Sequence, residues 1–459
     1  MAKRSIAIPK AVQLVLKTLT DAGFAAYAVG GCVRDSLRGK RPADWDICTS
    51  ATPQQSAAAF SGQRVILTGA RYGTVTLLRG GASFEITTFR SERGYSDSRH
   101  PDEVSFVSSL AEDLQRRDFT LNAMAADLRG RVIDPLGGAA DLEQGIVRCV
   151  GDPRERFGED ALRIMRALRF ASRFSFSVAP ETAAAIHACR QSLQKVAAER
   201  LRKELDGLLT GENVLRILSE FTDVLCVLIP EIAACVGFRQ YTPYHKFDVW
   251  QHTMKAVASA PPIVHLRLAA LLHDIGKPCT FSFDKNLLGH FYNHAMISAA
   301  IARRVLRRLR YDNKTTQAVV QLIDLHARDF PETLRAMRRL LAKYESKTIE
   351  DLNHLKQADE MGKGTKTQQS IAEQMRGVED LFTRALDQSA SPLALRGEDL
   401  LALGVPEGRR LGDILRALQS DVCEGILPNE RTALLESAQK RWQEFADFAQ
   451  NSGANEERS

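Results

Sequence analysis

Residues 27–53, YAVGGCVRDSLRGKRPADWDICTSATP, constrain the fold of this chain more than any other stretch. They read as a short apolar strand, a Gly-Gly break, a helix start, a basic loop and a second strand carrying two aspartates. Gly30 and Gly31 let the backbone turn without a Cβ clash and approach a ligand closely. The amide N–H groups that open the following helix then offer a place for a phosphate. Asp44 and Asp46 are two residues apart, so on a strand their carboxylates share one face. Two carboxylates on a rigid face beside a phosphate cradle suit a pair of divalent metals that drive an in-line phosphoryl displacement. Asp-x-Asp alone is common in solvated turns, and Gly-Gly alone is a weak signal. Their combination in this order is far more specific.

Composition bounds the rest. At 459 residues the chain exceeds one compact core and is expected to form about two to four domains. Its 44% hydrophobic and 26% charged residues fit a water-soluble globular protein. No apolar run approaches the ~20 residues that span a bilayer. The opening MAKRSIAIPKAV lacks a signal-peptide core, so a cytoplasmic location without a membrane partner is expected. The eight cysteines contain no Cys-x-x-Cys pair and read as small buried residues in a reducing compartment. A net charge of +6 is compatible with a polyanionic partner but does not identify one.

Residues 8–19 read as an amphipathic helix and residues 24–29 as the first strand. Thr52 and Pro53 carry the N-cap and first-turn signature of a helix after the aspartates. Strands over 74–78 and 83–89 flank the turn Arg79-Gly80-Gly81, with Glu85, Thr87 and Phe89 on one face. Glu85 is therefore a candidate third metal carboxylate, although an exposed sheet position explains it equally well. The polar stretch 91–102 has no periodicity and reads as a functional loop. In residues 114–124, LQRRDFTLNAM, Arg116, Arg117, Asp118 and Asn122 suit a triphosphate and a ribose.

From about Leu142 the pattern turns helical. Residues 157–174 place Arg163, Arg166, Arg169 and Arg173 on one helix face, with Leu162, Ile164, Met165, Leu168 and Phe170 for the buried side. The first turn carries Asp160, three residues before Arg163. An ionised Asp only accepts hydrogen bonds and Arg only donates them. Cytosine and adenine each present an amino donor beside a ring-nitrogen acceptor, whereas guanine and uracil present the reverse. Asp160 with Arg163 is thus a candidate side-chain template for C and A. An ion pair that merely starts a helix is its structural alternative. Glu199, Arg200 and Glu204 lie on a further helix.

Eight of the ten histidines fall between His245 and His354. His252, the doublet His273-Asp274, His294, His326 and Asp359 form a spaced set on predicted helices, a ligand mixture suited to Mg, Mn, Fe, Co or Ni. Residues 395–418 read as a helix stopped at Gly404 and a second begun near Pro406, with Arg409 and Arg410 available to a phosphate backbone.

The motifs GGCVRDSLRGKRPADWDICTSATP, TTFRSERGYSDSRHPDEVSF, RRDFTLNA and GEDALRIMRALRF resemble, in order and spacing, the head and neck of class II tRNA nucleotidyltransferases. That group holds CCA-adding enzymes and bacterial poly(A) polymerases within the polymerase-β-like superfamily. HTMKAV, LLHDIGKP, HFYNHAMISA, LIDLHA and ADEMGKG resemble an HD-type metal-dependent phosphohydrolase domain, and the segment from RGEDLL to RTALL resembles the tail of CCA-adding enzymes with such a body. The resemblance implies an α+β fold: a small mixed α/β head over 1–141, a helical neck over 142–240, an HD-like body over 241–362 and a tRNA-binding helical tail over 363–459. It implies Mg2+ on Asp44 and Asp46, triphosphate contacts from Gly30, Gly31, Arg34 and Asp35, and ribose and phosphate contacts from Arg117, Asp118 and Asn122. Asp160 and Arg163, on the helix that also carries Arg166 and Arg169, would select CTP or ATP, and the loop 91–102 would switch between them. The implied reaction is addition of C, C and A to the 3′ end of tRNA. Poly(A) synthesis is the alternative within the same chemistry. A 2′,3′-cyclic phosphodiesterase or phosphatase in the HD-like body, with a second divalent metal such as Ni, Mn or Co, is the alternative outside it.

Overall fold

The computed structural model describes residues 4–93, 103–389, 393–423 and 425–453. The head is built on a seven-stranded sheet. Its strands are β1 (Ala26–Val29), β2 (Ile47–Thr49), β3 (Arg64–Ile66), β4 (Thr74–Arg79), β5 (Ala82–Thr88), and two further short strands at Ala125–Ala126 and Val132–Ile133. Across the sheet the order is β3-β4-β5-β2-β1, then the two short strands. Neighbours pair antiparallel except β2 and β5, which run parallel with Ile47 opposite Ile86.

Alternation along these strands gives the sheet two different faces. Ala28, Ile47, Val75, Leu77, Phe84 and Ile86 form one face. It is covered by helix α1 (Lys10–Asp21), which buries Val12, Val15, Leu16 and Leu19 at helical spacing. Val29, Cys48, Phe89 and Ala125 face the other way, towards Leu114 and Val150. Helix α2 (Gly31–Leu37) starts directly after β1, where Gly30 adopts φ 81°. Helix α3 (Pro53–Ala59) begins with a reciprocal capping box between Thr52 and Gln55, as its sequence predicts.

Two expectations are corrected. Asp44 and Asp46 do not lie on a strand but in the segment leading into β2. The cause is Gly30. The Val29 N–H still bonds the Asp46 carbonyl at 3.0 Å, after which the chain of β1 swings into α2 and the ladder ends. The helix expected over 157–174 is also interrupted. Helices α4 (Pro153–Glu159) and α5 (Leu162–Phe174) meet at Asp160, whose backbone is extended at φ −141° and ψ 104°. Its carboxylate accepts from the Leu162 N–H at 3.0 Å, the competition with helical bonding that makes Asp a capping residue.

Beyond the head the chain is mostly helical, with α6 (Ala198–Leu209) packed on α5. A single apolar core runs from Phe119 through these helices to Ala358. The last helices bury Leu400, Ile414, Leu418 and Leu434 in a core of their own, and Gly404 (φ 82°) stands between two of them as expected. Among the described residues, no helix is long and apolar enough to cross a membrane.

One close contact ties the fold to the site. A Cβ on Gly138 would lie 2.0 Å from the Thr120 carbonyl oxygen and 2.7 Å from its carbon, in the 3₁₀ turn that carries Asn122. Gly138→Ala is expected to destabilise the head by about 1–3 kcal/mol through overpacking, read as a lower midpoint in denaturant. An unchanged midpoint would refute the tight contact.

Candidate active site and candidate metal centre

The parallel register of β2 and β5 settles what Glu85 neighbours. Ile47 lies opposite Ile86, so Asp46 and Glu85 sit one residue earlier on adjacent chains and on the same face. The Asp46 side chain reaches solvent, yet its carboxyl is pushed up: neighbouring atoms strip water from it, Asp44 and Glu85 repel its charge, and only Arg117 opposes them. Asp44, Asp46 and Glu85 do not bring three ligand atoms within 4.8 Å of one another, but a divalent cation placed among them would relieve that repulsion. Arg117 hangs over the glycine turn, since a Cβ on Gly30 would be 3.2 Å from its Nη1. Its Nη2 donates to the fully buried Asp113 at 3.2 Å, while its buried Nε has no hydrogen-bond partner.

From the glycine turn a chain of charge-assisted bonds runs into the neck. Arg34 donates to Asp35 at 2.8 Å and to Asn122 at 2.7 Å. Asn122 donates to Asp118 at 3.1 Å, and Arg166 on α5 donates to Asp118 at 2.9 and 2.7 Å. Burial alone would raise the Asp118 carboxyl, but Arg166 and the Asn122 bond hold it below the usual carboxylate range. Arg169 then pairs with Glu204 on α6. Aromatic rings of α5 reinforce the join: Arg34 lies 4.9 Å from the Phe174 centroid and Arg38 4.1 Å from it.

Three of the four arginines of the stripe read from the sequence are therefore tied to partners, while Arg173 is exposed. Arg163 is 9% exposed and is held by Glu159 and the Arg156 carbonyl, Arg166 by Asp118, and Arg169 by Glu204. Asp160 accepts a two-pronged bond from Arg200 of α6, Nη2 to Oδ2 at 2.7 Å and Nη1 to Oδ1 at 3.4 Å. Sequence reasoning put Arg200 and Glu204 on a helix without a role. Their four-residue spacing was the available signal, because it turns both toward α5.

In the body the histidines and carboxylates converge. His252, His273, Asp274 and Asp359 form one group and Asp274, His294 and His326 a second, each with ligand atoms within 4.8 Å of one another. Asp274 belongs to both. Its Oδ2 is 3.2 Å from His252 Nε2 and from His273 Nε2, and its Oδ1 is 3.5 Å from His294 and 3.7 Å from His326. The Nδ1 atoms of His273, His294 and His326 lie 2.8, 2.8 and 2.6 Å from the carbonyls of Ala270, Phe291 and Ile323. A proton on each Nδ1 makes the matching Nε2 an acceptor. Yet His252 and His273 bring Nε2 atoms to 3.1 Å, and His294 and His326 bring theirs to 3.3 Å. The His294–His326 pair repels unless a proton or cation lies between the two atoms, whereas His252, whose Nδ1 has no partner, can donate from Nε2 to His273. All six residues named from the sequence meet here, beside a cavity of about 450 Å³ that Lys277, Lys356 and Lys363 also line.

Residues 94–102 of the expected switching loop lie outside the described residues; Ser91 belongs to a strand, Arg90–Arg93, that pairs with Glu103–Phe106.

Comparison with known proteins places this architecture. Residues 26–148 match the family described as the poly A polymerase head domain, and residues 287–438 match domain 2 of tRNA nucleotidyltransferases. A CCA-adding enzyme of Levilactobacillus brevis is 36% identical over 424 residues, covering 92% of this chain and 95% of that protein. One from Lactiplantibacillus plantarum is 50% identical over 204 residues, 44% of this chain and 50% of its own length. The crystal structure of the Bacillus stearothermophilus CCA-adding enzyme in complex with CTP superposes with a TM-score of 0.65 at 27% identity, covering 95% of this chain and 98% of that one. With the α+β fold, the head site and full-length similarity in agreement, this chain belongs to the CCA-adding enzyme family.

Proposed function

We propose that this chain adds C, C and A to the 3′ end of tRNA, the terminal 3′-hydroxyl attacking the α-phosphate of CTP or ATP with release of pyrophosphate. The observation that carries this is the bonded network joining the glycine turn of the head to α5, the helix that bears Arg163 and follows Asp160. Asp44 and Asp46, with Glu85 beside them, would hold Mg2+. Magnesium bound there supplies the charge that favours the attacking alkoxide and the departing pyrophosphate. Gly30 and Gly31 admit the triphosphate close to the backbone, and Arg117 takes its oxygens. Asp118, kept ionised by Arg166, accepts a ribose hydroxyl alongside Asn122. Arg166 and Arg169 hold this frame. Asp160 and Arg163 select the base, and helices of the neck, body and tail hold the acceptor arm by backbone and shape.

Offered a tRNA lacking its end, with CTP and ATP separately and together, the protein is expected to add three nucleotides. A long A ladder would instead identify a poly(A) polymerase. Asp44→Ala is expected to reduce addition by at least about 10³-fold, since charge stabilisation of the transition state is lost; retained activity would remove Asp44 from the metal set. Asp46→Asn carries a second expectation. A raised folded-state carboxyl pKa means that ionisation at neutral pH opposes folding. In chelator at pH 7 this variant should therefore melt higher than wild type, with the difference vanishing as pH falls below the unfolded carboxyl pKa. Equal melting at pH 7 would show that the repulsion is absent.

The convergence of four imidazoles and Asp359 on Asp274, with the His294 and His326 Nε2 atoms at 3.3 Å, favours a second reading alongside the first. His252, His273, Asp274 and Asp359 would hold one divalent ion and Asp274, His294 and His326 another, with the ligand chemistry of Mn, Co or Ni. Lys277, Lys356 and Lys363 suit a phosphate group in the same cavity. Metal-dependent hydrolysis of a phosphate ester, 2′,3′-cyclic or monoester, is the activity that follows. Elemental analysis should find metal that His273→Ala/Asp274→Ala loses while CCA addition persists. Absence of metal and of phosphate-ester turnover in wild type would leave the body as scaffold.

A further inference from the structure

We infer that Asp113 is a positioning residue for the triphosphate: its buried carboxylate aims Arg117 across the Gly30 turn, where the phosphates of CTP or ATP would lie. The inference rests on the reading of Arg117 as a triphosphate ligand.

The carboxylate divides its two oxygens between two tasks. Oδ1 accepts from Arg116, Nε at 3.1 Å and Nη2 at 3.0 Å, and from the Arg90 N–H at 3.4 Å. Oδ2 accepts from Arg117 Nη2 at 3.2 Å. One oxygen is thus fastened to a neighbouring side chain and to the backbone at the start of the strand Arg90–Arg93, and the other is held out to Arg117. The footing is rigid. Asp113 is fully buried on the short helix Leu110–Gln115, and the next residue, Leu114, packs with Val29, Cys48 and Phe89 against the sheet. Groups carried on packed elements keep their geometry better than groups on loops.

Arg117 needs that support. Its guanidinium ends a long, rotatable side chain, and a planar fork serves a phosphate only when it is presented at the right angle. Among the described residues, Asp113 is the one carboxylate that bonds Arg117. The bond takes Nη2 and leaves Nη1 at the glycine turn, where a Cβ on Gly30 would lie 3.2 Å from it. The buried Nε has no hydrogen-bond partner, so no second bond there competes with Asp113 for the direction of the fork. Asp113 therefore sets where the cation points, and Gly30, at φ 81° and without a side chain, leaves room for it to point there.

This contact would act at the phosphate end of the nucleotide, and Asp160 and Arg163 take no part in it. Losing it should weaken CTP and ATP alike and leave the choice of base alone.

The test measures KM for CTP, for ATP and for a tRNA lacking its end, together with the Ki of the product pyrophosphate, which carries no base. Asp113→Asn keeps the shape and removes the charge. It should raise both nucleotide KM values and the pyrophosphate Ki by about tenfold, the usual scale of one charged hydrogen bond. The KM for tRNA and the preference between CTP and ATP should stay unmoved. Added to Arg117→Met, Asp113→Asn should cause no further loss, because the two residues act through one contact. Arg117→Lys keeps the charge but has no second nitrogen to reach past Asp113, so it should lose as much as Arg117→Met. That comparison carries the test if Asp113→Asn folds poorly. A wild-type Ki in Asp113→Asn, additive losses in the double variant, or full rescue by Arg117→Lys would each overturn the aiming role while leaving Arg117 as a ligand. A wild-type Ki in Arg117→Met would overturn the triphosphate reading of Arg117, and the inference with it. An equal rise in the KM for tRNA would mark Asp113 as a plain structural tie.

Discussion

The pair between Asp118 and Arg166 is the interaction on which the arrangement of the site depends. Asp118 belongs to the head and Arg166 to the first long helix after it, and the two groups meet at 2.7 Å. Removing either partner would leave the other charged and largely desolvated, a state that typically costs about 3–5 kcal/mol. The pair is therefore held by what its loss would expose as much as by its own attraction. Its register decides where Asn122 points, and through Asn122 the position of Arg34 at the glycine turn.

Such a junction would make the proposed selection of a base by side chains compatible with a two-part architecture. Reading a donor and an acceptor on a base edge requires placement to within about half an ångström. A head and a neck joined by a simple linker would not maintain that. Here the junction carries an ion pair and cation–π contacts of Arg34 and Arg38 with Phe174, while Glu204 braces α5 from α6. Few of these charges are free to rearrange when substrate arrives, so their dipoles act without reorganising.

How much of this was legible beforehand differs by element. The glycine turn, the capped helix at Thr52, the strands around Gly80 and the tail hairpin follow local rules and lie where their residues indicate. The six candidate metal ligands were also identifiable, because a His-Asp doublet closing an apolar helix is costly to bury unless a cation or a counter-charge meets it. What was not legible depends on pairing between distant segments. That Glu85 neighbours Asp46 follows from the parallel pairing of β2 with β5, which local pattern does not encode. Asp160 and Arg163 read as an i,i+3 pair only on a continuous helix. Asp160 breaks that helix, and the partner of its carboxylate lies forty residues away on α6.

In the proposed reading, helix α5 serves both ends of the bound nucleotide. Arg163 stands in its first turn and Phe170 and Phe174, beside Arg34, in its last two. From Arg163 to Phe170 is seven residues, about 10 Å at the rise of an α-helix, the length scale of one nucleotide. On that reading the helix is a ruler laid between the base end and the triphosphate end of the nucleotide. A ruler does not lengthen for a purine. On the same reading the extra ring of adenine would be accommodated by elements other than α5, which puts the expected switch from C to A outside that helix.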